Sequence, residues 1–187
     1  MADRRPARVF VGLKVAPDIA RELARLAQDL EGFAVRLIAP ADIHLTLVPP
    51  WNEPSPSEAI EKLRIVAGKF GAFPLTVQHV GYGPDPRRPR LLWADCAATN
   101  EIAALRGALL EVYQQTDDRP FLPHVTLARI RGNGRAIARE RPIDRDLSLT
   151  QRVGSVELFQ SPPQGERGYR VLAVAPLEGS EPSASNP

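Results

Sequence analysis

This 187-residue chain has one cysteine, three histidines and only three lysines among its 24 basic residues. The single Cys96 excludes an internal disulfide and any multi-cysteine metal site; its apolar surroundings read as a small buried side chain. No apolar run approaches the length needed to cross a membrane. No apolar signal region follows the basic residues of Met1 to Ala7, so the expectation is a cytoplasmic protein without a membrane partner. A net charge of +2 is far from the strongly basic balance of a duplex-binding protein. A Gly-rich phosphate loop and a dinucleotide fingerprint are both missing, which sets aside two common ways of holding a nucleotide.

What is present is a pattern of short strands and three clear helices. Arg8 to Val15 alternates and is β-branched, so it reads as a strand. Pro17 opens a helix to about Leu30, with Gly32 as its stop. Val35 to Ile38 and Ile43 to Val48 read as strands, the second stopped by Pro49-Pro50. Ser55 or Ser57 caps a helix from Glu58 to Phe70, and Thr99 or Asn100 caps another to Gln115. Strands follow at Phe73 to Tyr82, Leu91 to Ala97, from His124, within Leu147 to Phe159, and at Tyr169 to Pro176. A single domain over 1–177 is expected, with 178–187 as a polar tail lacking the apolar residues needed to order it.

Two of the three histidines begin the same pattern, His44-Leu-Thr46-Leu and His124-Val-Thr126-Leu. On a strand, residues i and i+2 share a face, so each copy presents an imidazole and a hydroxyl together and turns its apolar residues into the core. The copies stand 80 residues apart, and each follows a strand and a helix. That spacing points to a duplication: an α+β fold with antiparallel sheets, in two pseudo-symmetric lobes that bring both motifs to one cleft. Two imidazoles that titrate near neutrality can act as base and acid on opposite sides of a phosphorus, and two hydroxyls can hold its non-bridging oxygens. His79, on the parity of Leu75 and Val77, reads as a structural histidine, and Trp93 as core. On a regular strand Arg129 has the opposite parity to His124 and Thr126, so it reaches the cleft only where the strand ends or bulges.

These residues, with Arg8-Val-Phe-Val, Arg88-Pro-Arg-Leu-Leu-Trp93, Arg119-Pro-Phe-Leu-Pro before His124, and Gly168-Tyr169, make a chain that resembles the 2H phosphoesterases. The resemblance is to their RNA 2′,3′-cyclic phosphodiesterase family, also called the 2′-5′ RNA ligase (LigT-like) family. It implies a two-lobed duplication with outer helices and the active-site cleft between the lobes. It also implies opening of a terminal 2′,3′-cyclic phosphate to a 2′-phosphate, in some members with 2′-5′ RNA joining, without metal, ATP or any other cofactor. His44 and His124 match the catalytic pair, Thr46 and Thr126 the phosphate-binding pair, and Arg129 a further phosphate ligand. By analogy His124 activates water and His44 protonates the departing 3′ oxygen, although near-symmetric motifs permit either assignment. RNA ends or nucleotide cyclic phosphates are the implied partners, with no obligate protein partner. Trp51, Tyr82 and Arg90 are candidate substrate contacts: Trp51 by stacking on a base, Arg90 from the Arg-rich loop 83–90. The competing readings are a nucleotide- or RNA-binding module without turnover and a 2H enzyme acting on a small cyclic phosphate such as ADP-ribose 1″,2″-cyclic phosphate.

Overall fold

The computed structural model describes residues 6–163 and 165–178. The first strand, β1 (Ala7–Lys14), leads into α1 (Pro17–Ala27), extended by a 3-10 turn to Leu30. Pro17 sits at the first helical position, where its missing N–H leaves nothing unpaired. Next come β2 (Val35–Leu37), β3 (His44–Glu53), α2 (Pro56–Ala67), β4 (Phe73–Gly83) and β5 (Leu91–Cys96). The chain continues through α3 (Asn100–Val112), β6 (His124–Ile130), α4 (Gly134–Glu140), β7 (Arg145–Val153), β8 (Ser155–Gln160) and β9 (Arg170–Pro176). The Thr99 hydroxyl caps α3 by accepting the Ile102 N–H at 3.4 Å.

The named strands form one continuous sheet, in the order β7-β4-β5-β6-β3-β1-β8-β9, with β2 alongside β6. Every pairing between them is antiparallel. The expected antiparallel sheets are therefore joined into one. The joint is a single position, Leu45 opposite Val125, where β3 meets β6 at the centre. Outward from this seam the two sides match: motif strand, then the strand before its helix, then two more. The outermost pair on the β3 side, β8 and β9, comes from the C-terminal part of the chain, so the two sides are not simply the two halves of the sequence. Leu45 and Val125 are fully buried, as are Leu23, Leu63, Leu105 and Leu109 of the helices. Helix α2 packs on α3, β8 and β9, α3 on β3, and α1 on β6. The helices thus cover the apolar face of the sheet and leave the other face to the site.

Two expectations about boundaries change. Strand β3 does not stop at Pro49-Pro50 but runs to Glu53. The register with β1 slips there, from Val11–Val48 to Val9–Trp51, and β3 pairs with β6 only at Leu45, so the prolines interrupt no regular rung. Glu178, assigned to the tail, is tied in: its N–H donates to the Phe70 carbonyl and its carbonyl accepts from Ala72 N–H. The rest of the expected tail, 179–187, lies outside the described residues.

Candidate active site

The motif strands carry the same burial pattern from their histidines onward: half-buried, buried, half-buried, buried, buried. The two consecutive buried residues mark a β-bulge in each strand. Against β1, Val48 pairs with Val11 and Thr46 with Gly12, leaving Leu47 as the extra residue. Against β5, Ala128 pairs with Leu92 and Thr126 with Trp93, leaving Leu127 as the extra residue. A bulge of this kind resets which face later residues occupy. That settles the parity question for Arg129: beyond Leu127 it returns to the face of His124 and Thr126 and lines their cavity. The corresponding position after the β3 bulge is Pro49, so only the β6 motif strand supplies a guanidinium itself.

Each imidazole is anchored in the same way. His44 Nδ1 lies 2.7 Å from the Asp42 carbonyl oxygen, and His124 Nδ1 lies 2.7 Å from that of Leu122. A carbonyl can only accept, so Nδ1 carries the proton in both rings, and Nε2 remains to take or give one. His44 also packs against Phe10, at 4.8 Å between centroids, and edge-on to Tyr169 at 5.1 Å. His124 packs against Trp93 at 4.3 Å. Trp93 is buried, as a core residue would be, yet its ring forms the wall behind a site histidine. Gly12 makes room for His44: a Cβ there would lie 2.6 Å from the Leu45 carbonyl oxygen and 3.4 Å from the His44 ring.

Burial lowers the proton affinity of both site histidines below the ordinary imidazole value, and the Arg129 charge lowers it further. A nearby carboxylate opposes the lowering in each, Asp42 for His44 and Asp95 for His124. Asp95 stands opposite His124 in the β5–β6 register. Asp95 also stands opposite His79 in the β4–β5 register, so His124, Asp95 and His79 form a row across three strands. This corrects the parity expected of His79, while its polar partners are those of a structural histidine. A bulge at Gln78 moves it off the parity of Leu75 and Val77. Its side chain is one-third exposed, with Nε2 2.6 Å from Asp144 and Nδ1 3.5 Å from Asp95. The Asp144 hydrogen bond raises its proton affinity.

A cavity of about 30 Å³ lies between the motifs, lined by Ile38, Asp42, His44, Thr46, His124, Thr126, Arg129 and Tyr169. A second cavity of about 300 Å³ shares His44, Thr46, Arg129 and Tyr169 with it and adds Arg8, Phe10, Arg36 and Pro50. The structure therefore brings together all five residues picked out by the motifs. Tyr169, Asp42, Asp95, Arg8 and Arg36 join them. Asp42 reads in the sequence as a turn residue, but its carboxylate accepts the Tyr169 N–H at 3.0 Å while its carbonyl holds His44. A charged Asp95 inside an otherwise apolar strand is the one sequence signal that could have marked it.

Trp51, Tyr82 and Arg90 line none of these cavities. Trp51 pairs with buried Val9, which places it on the helix face, where it packs on Tyr113 and donates to Glu53 at 2.9 Å. Tyr82 pairs with buried Leu92 and donates to the Arg141 carbonyl at 2.6 Å, also away from the cleft. Arg90 is exposed, and its carbonyl accepts from Ile130 N–H at the end of β6. Cys96 is buried, its thiol pushed up to about 12 by burial. Among the described residues, no group of three or more His, Cys, Asp or Glu side chains is placed to hold a metal ion.

The chain matches a family model described as the 2′-5′ RNA ligase superfamily over residues 38–162. Among curated relatives, an RNA 2′,3′-cyclic phosphodiesterase of Aeropyrum pernix is 29% identical over 145 residues, covering 73% of this chain and 77% of the relative. One of Archaeoglobus fulgidus is 24% identical over 135 residues, covering 70% of this chain and 77% of that protein. Among solved structures, a Thermus thermophilus protein superposes with a TM-score of 0.76 at 22% identity, covering 93% of this chain and all (100%) of that one. Escherichia coli LigT complexed with 3′-AMP gives 0.72 at 23% identity, covering 92% and 99%.

Proposed function

Because the chain belongs to the 2′-5′ RNA ligase superfamily, we propose that it hydrolyses the terminal 2′,3′-cyclic phosphate of RNA, leaving a 2′-phosphate and a free 3′-hydroxyl. The observation that carries this reading is the pair of imidazoles on strands that meet at the sheet's seam, each with Nδ1 committed to a carbonyl and Nε2 left for proton transfer. The names of the curated relatives support the substrate.

In the proposed step, water gives a proton to His124 Nε2 as its oxygen bonds to phosphorus. The P–O3′ bond breaks with its electron pair on O3′, which takes the proton from His44 Nε2. The histidines finish with their protonation exchanged and reset through solvent. Asp95 favours His124 as the base, because a carboxylate opposite it stabilises the imidazolium it becomes. Asp42 likewise supports a proton on His44, which suits the ring that must start protonated as the acid. Both rings have lowered proton affinity in the free protein, and the negative charge of a bound phosphate restores the proton that His44 needs. Thr46 and Thr126 donate to the non-bridging oxygens, and Arg129 balances the charge held there. With an RNA 5′-hydroxyl in the place of water, the same displacement forms a 2′-5′ linkage.

Residues 1–177 act as one unit in this reading, since both sides of the seam contribute half the machinery. RNA ends or nucleotide cyclic phosphates are its partners, and the cytoplasm is the expected setting. The test is an oligoribonucleotide ending in a 2′,3′-cyclic phosphate, incubated with the protein and a chelator, with the product identified by phosphorus NMR. A 2′-phosphomonoester is expected. No hydrolysis, a 3′-phosphate product, or activity abolished by the chelator would overturn the proposal.

A further inference from the structure

We propose that Arg8 and Arg36 form a second anion subsite, which holds the phosphodiester on the 5′ side of the terminal nucleotide and makes the site selective for a strand end over a mononucleotide. This rests on the function proposed above, because it takes the cyclic phosphate to sit between His44 and His124.

Three observations converge. The first is room. The cavity between the histidines, about 30 Å³ against about 300 Å³ for the adjoining one, is too small for a nucleoside. The nucleoside must lie in the adjoining cavity of about 300 Å³, which Arg8 and Arg36 line. The second is charge. No acidic side chain lines that larger cavity, while three guanidiniums do: Arg8, Arg36 and Arg129. None of the three is ion-paired among the described residues, whereas Arg64, Arg106 and Arg119 each have a carboxylate within 4 Å.

The third is register. Arg36 stands directly opposite Arg129 where β2 pairs with β6. Like charges directly opposite on neighbouring strands destabilise a sheet. This pair therefore costs the fold something that an anion between the two strands would offset. A terminal cyclic phosphate carries one negative charge, enough for Arg129 alone. Arg8 and Arg36 are left for the next charge along the strand, and in RNA that charge is the neighbouring phosphodiester. Guanidinium is the side chain best suited to bind it, by paired N–H donors. Arg167 lines a further cavity of about 120 Å³ that also includes Arg36, which sets the direction in which a longer strand would continue.

The experiment compares kcat/KM for a nucleoside 2′,3′-cyclic monophosphate with that for a trinucleotide ending in the same cyclic nucleotide, in the wild type, Arg8→Gln and Arg36→Gln. The wild type should prefer the trinucleotide by at least tenfold. Each substitution should cut that preference about tenfold, and the salt dependence of trinucleotide kcat/KM should become shallower by about one counterion. A wild-type preference below twofold, or a preference unchanged in both variants, overturns the subsite. In parallel, binding of a trinucleotide ending in a 2′-phosphate is followed by fluorescence anisotropy, which needs no turnover. If neither cyclic substrate is hydrolysed but binding still weakens about tenfold in both variants, the function fails and the subsite stands. Binding unaffected by both substitutions overturns the subsite whatever the enzyme does.

Discussion

Replacing Asp95 by asparagine removes the carboxylate that opposes the lowered proton affinity of His124 while keeping the side chain's shape. Its partner His124 is directly opposite on the next strand. Cross-strand Cβ atoms lie about 5 Å apart, so the charges are roughly 6 Å apart. At that distance a unit pair is worth about 3 kcal/mol at an effective dielectric of 20 and about 0.7 kcal/mol in water. The Asp95 side chain is 43% exposed, so solvent screening places the interaction toward the low end, about 0.7–1.4 kcal/mol. That corresponds to a fall of about half to one pH unit in the proton affinity of His124. The assay is the pH dependence of kcat/KM on the cyclic-phosphate oligonucleotide, with the His124 ring followed by NMR. In Asp95→Asn the His124 titration should move to lower pH by that amount, and turnover should fall because the base is weaker. His79→Gln is the control: it leaves Asp95 in place and removes a cation from its far side, so the His124 affinity should stay or rise slightly. A His124 titration that does not move in Asp95→Asn would exclude this coupling.

Other expectations concern the free protein and its packing. Proton NMR of the three imidazoles should find His79 titrating above the ordinary imidazole value, and His44 and His124 below it. Inorganic phosphate should raise the last two; a common titration near 6.5 for all three contradicts the site electrostatics. His44 and His124 bind protons more readily when unfolded, so their contribution destabilises the fold progressively as pH falls below 6.5. His79 acts oppositely, adding stability below 6.5 that is lost as pH rises through its folded value, which denaturant titration across pH can resolve. Tyr113 is buried and donates to the Ala59 carbonyl at 2.7 Å, tying the end of α3 to α2. Tyr113→Phe should therefore cost about 1 kcal/mol in urea unfolding, and no loss would contradict that tie. A Cβ at Gly83 would collide with the Trp93 ring. Gly83→Ala should drive that ring onto His124 and lower kcat by tenfold or more, with unchanged kinetics as the contrary result.

The motif residues are legible in the sequence because strand parity is a local rule. His44 with Thr46, and His124 with Thr126, alternate with buried Leu45 and Val125, as a half-buried strand requires. Their spacing along the chain also anticipates a duplicated, antiparallel arrangement. What parity alone does not carry is the position of bulges. Whether β6 holds one extra residue at Leu127 depends on its pairing with β5, a contact made across the sheet. The same holds for Gln78 in β4, which decides that His79 faces Asp95 and not the core. Trp51 and Tyr82 follow the same logic: their faces are set by pairing with Val9 and Leu92, and an aromatic residue near a motif carries no sign of the side it takes. Pro49-Pro50 reads as a stop because proline removes a ladder donor, but β3 has almost no partner on its second edge, so that loss has little effect.

In the proposed mechanism His44 and His124 work as one acid–base unit at a single phosphorus. The direct test is single-turnover hydrolysis of the cyclic-phosphate oligonucleotide by His44→Ala, His124→Ala and the double variant, with folding checked by circular dichroism. Removing one member of a unit disables the other, so each single variant should lose about 10³-fold or more, and the double variant should lose little beyond that. Losses that multiply in the double variant, or a single variant within tenfold of the wild type, would show that the two histidines do not act as a unit.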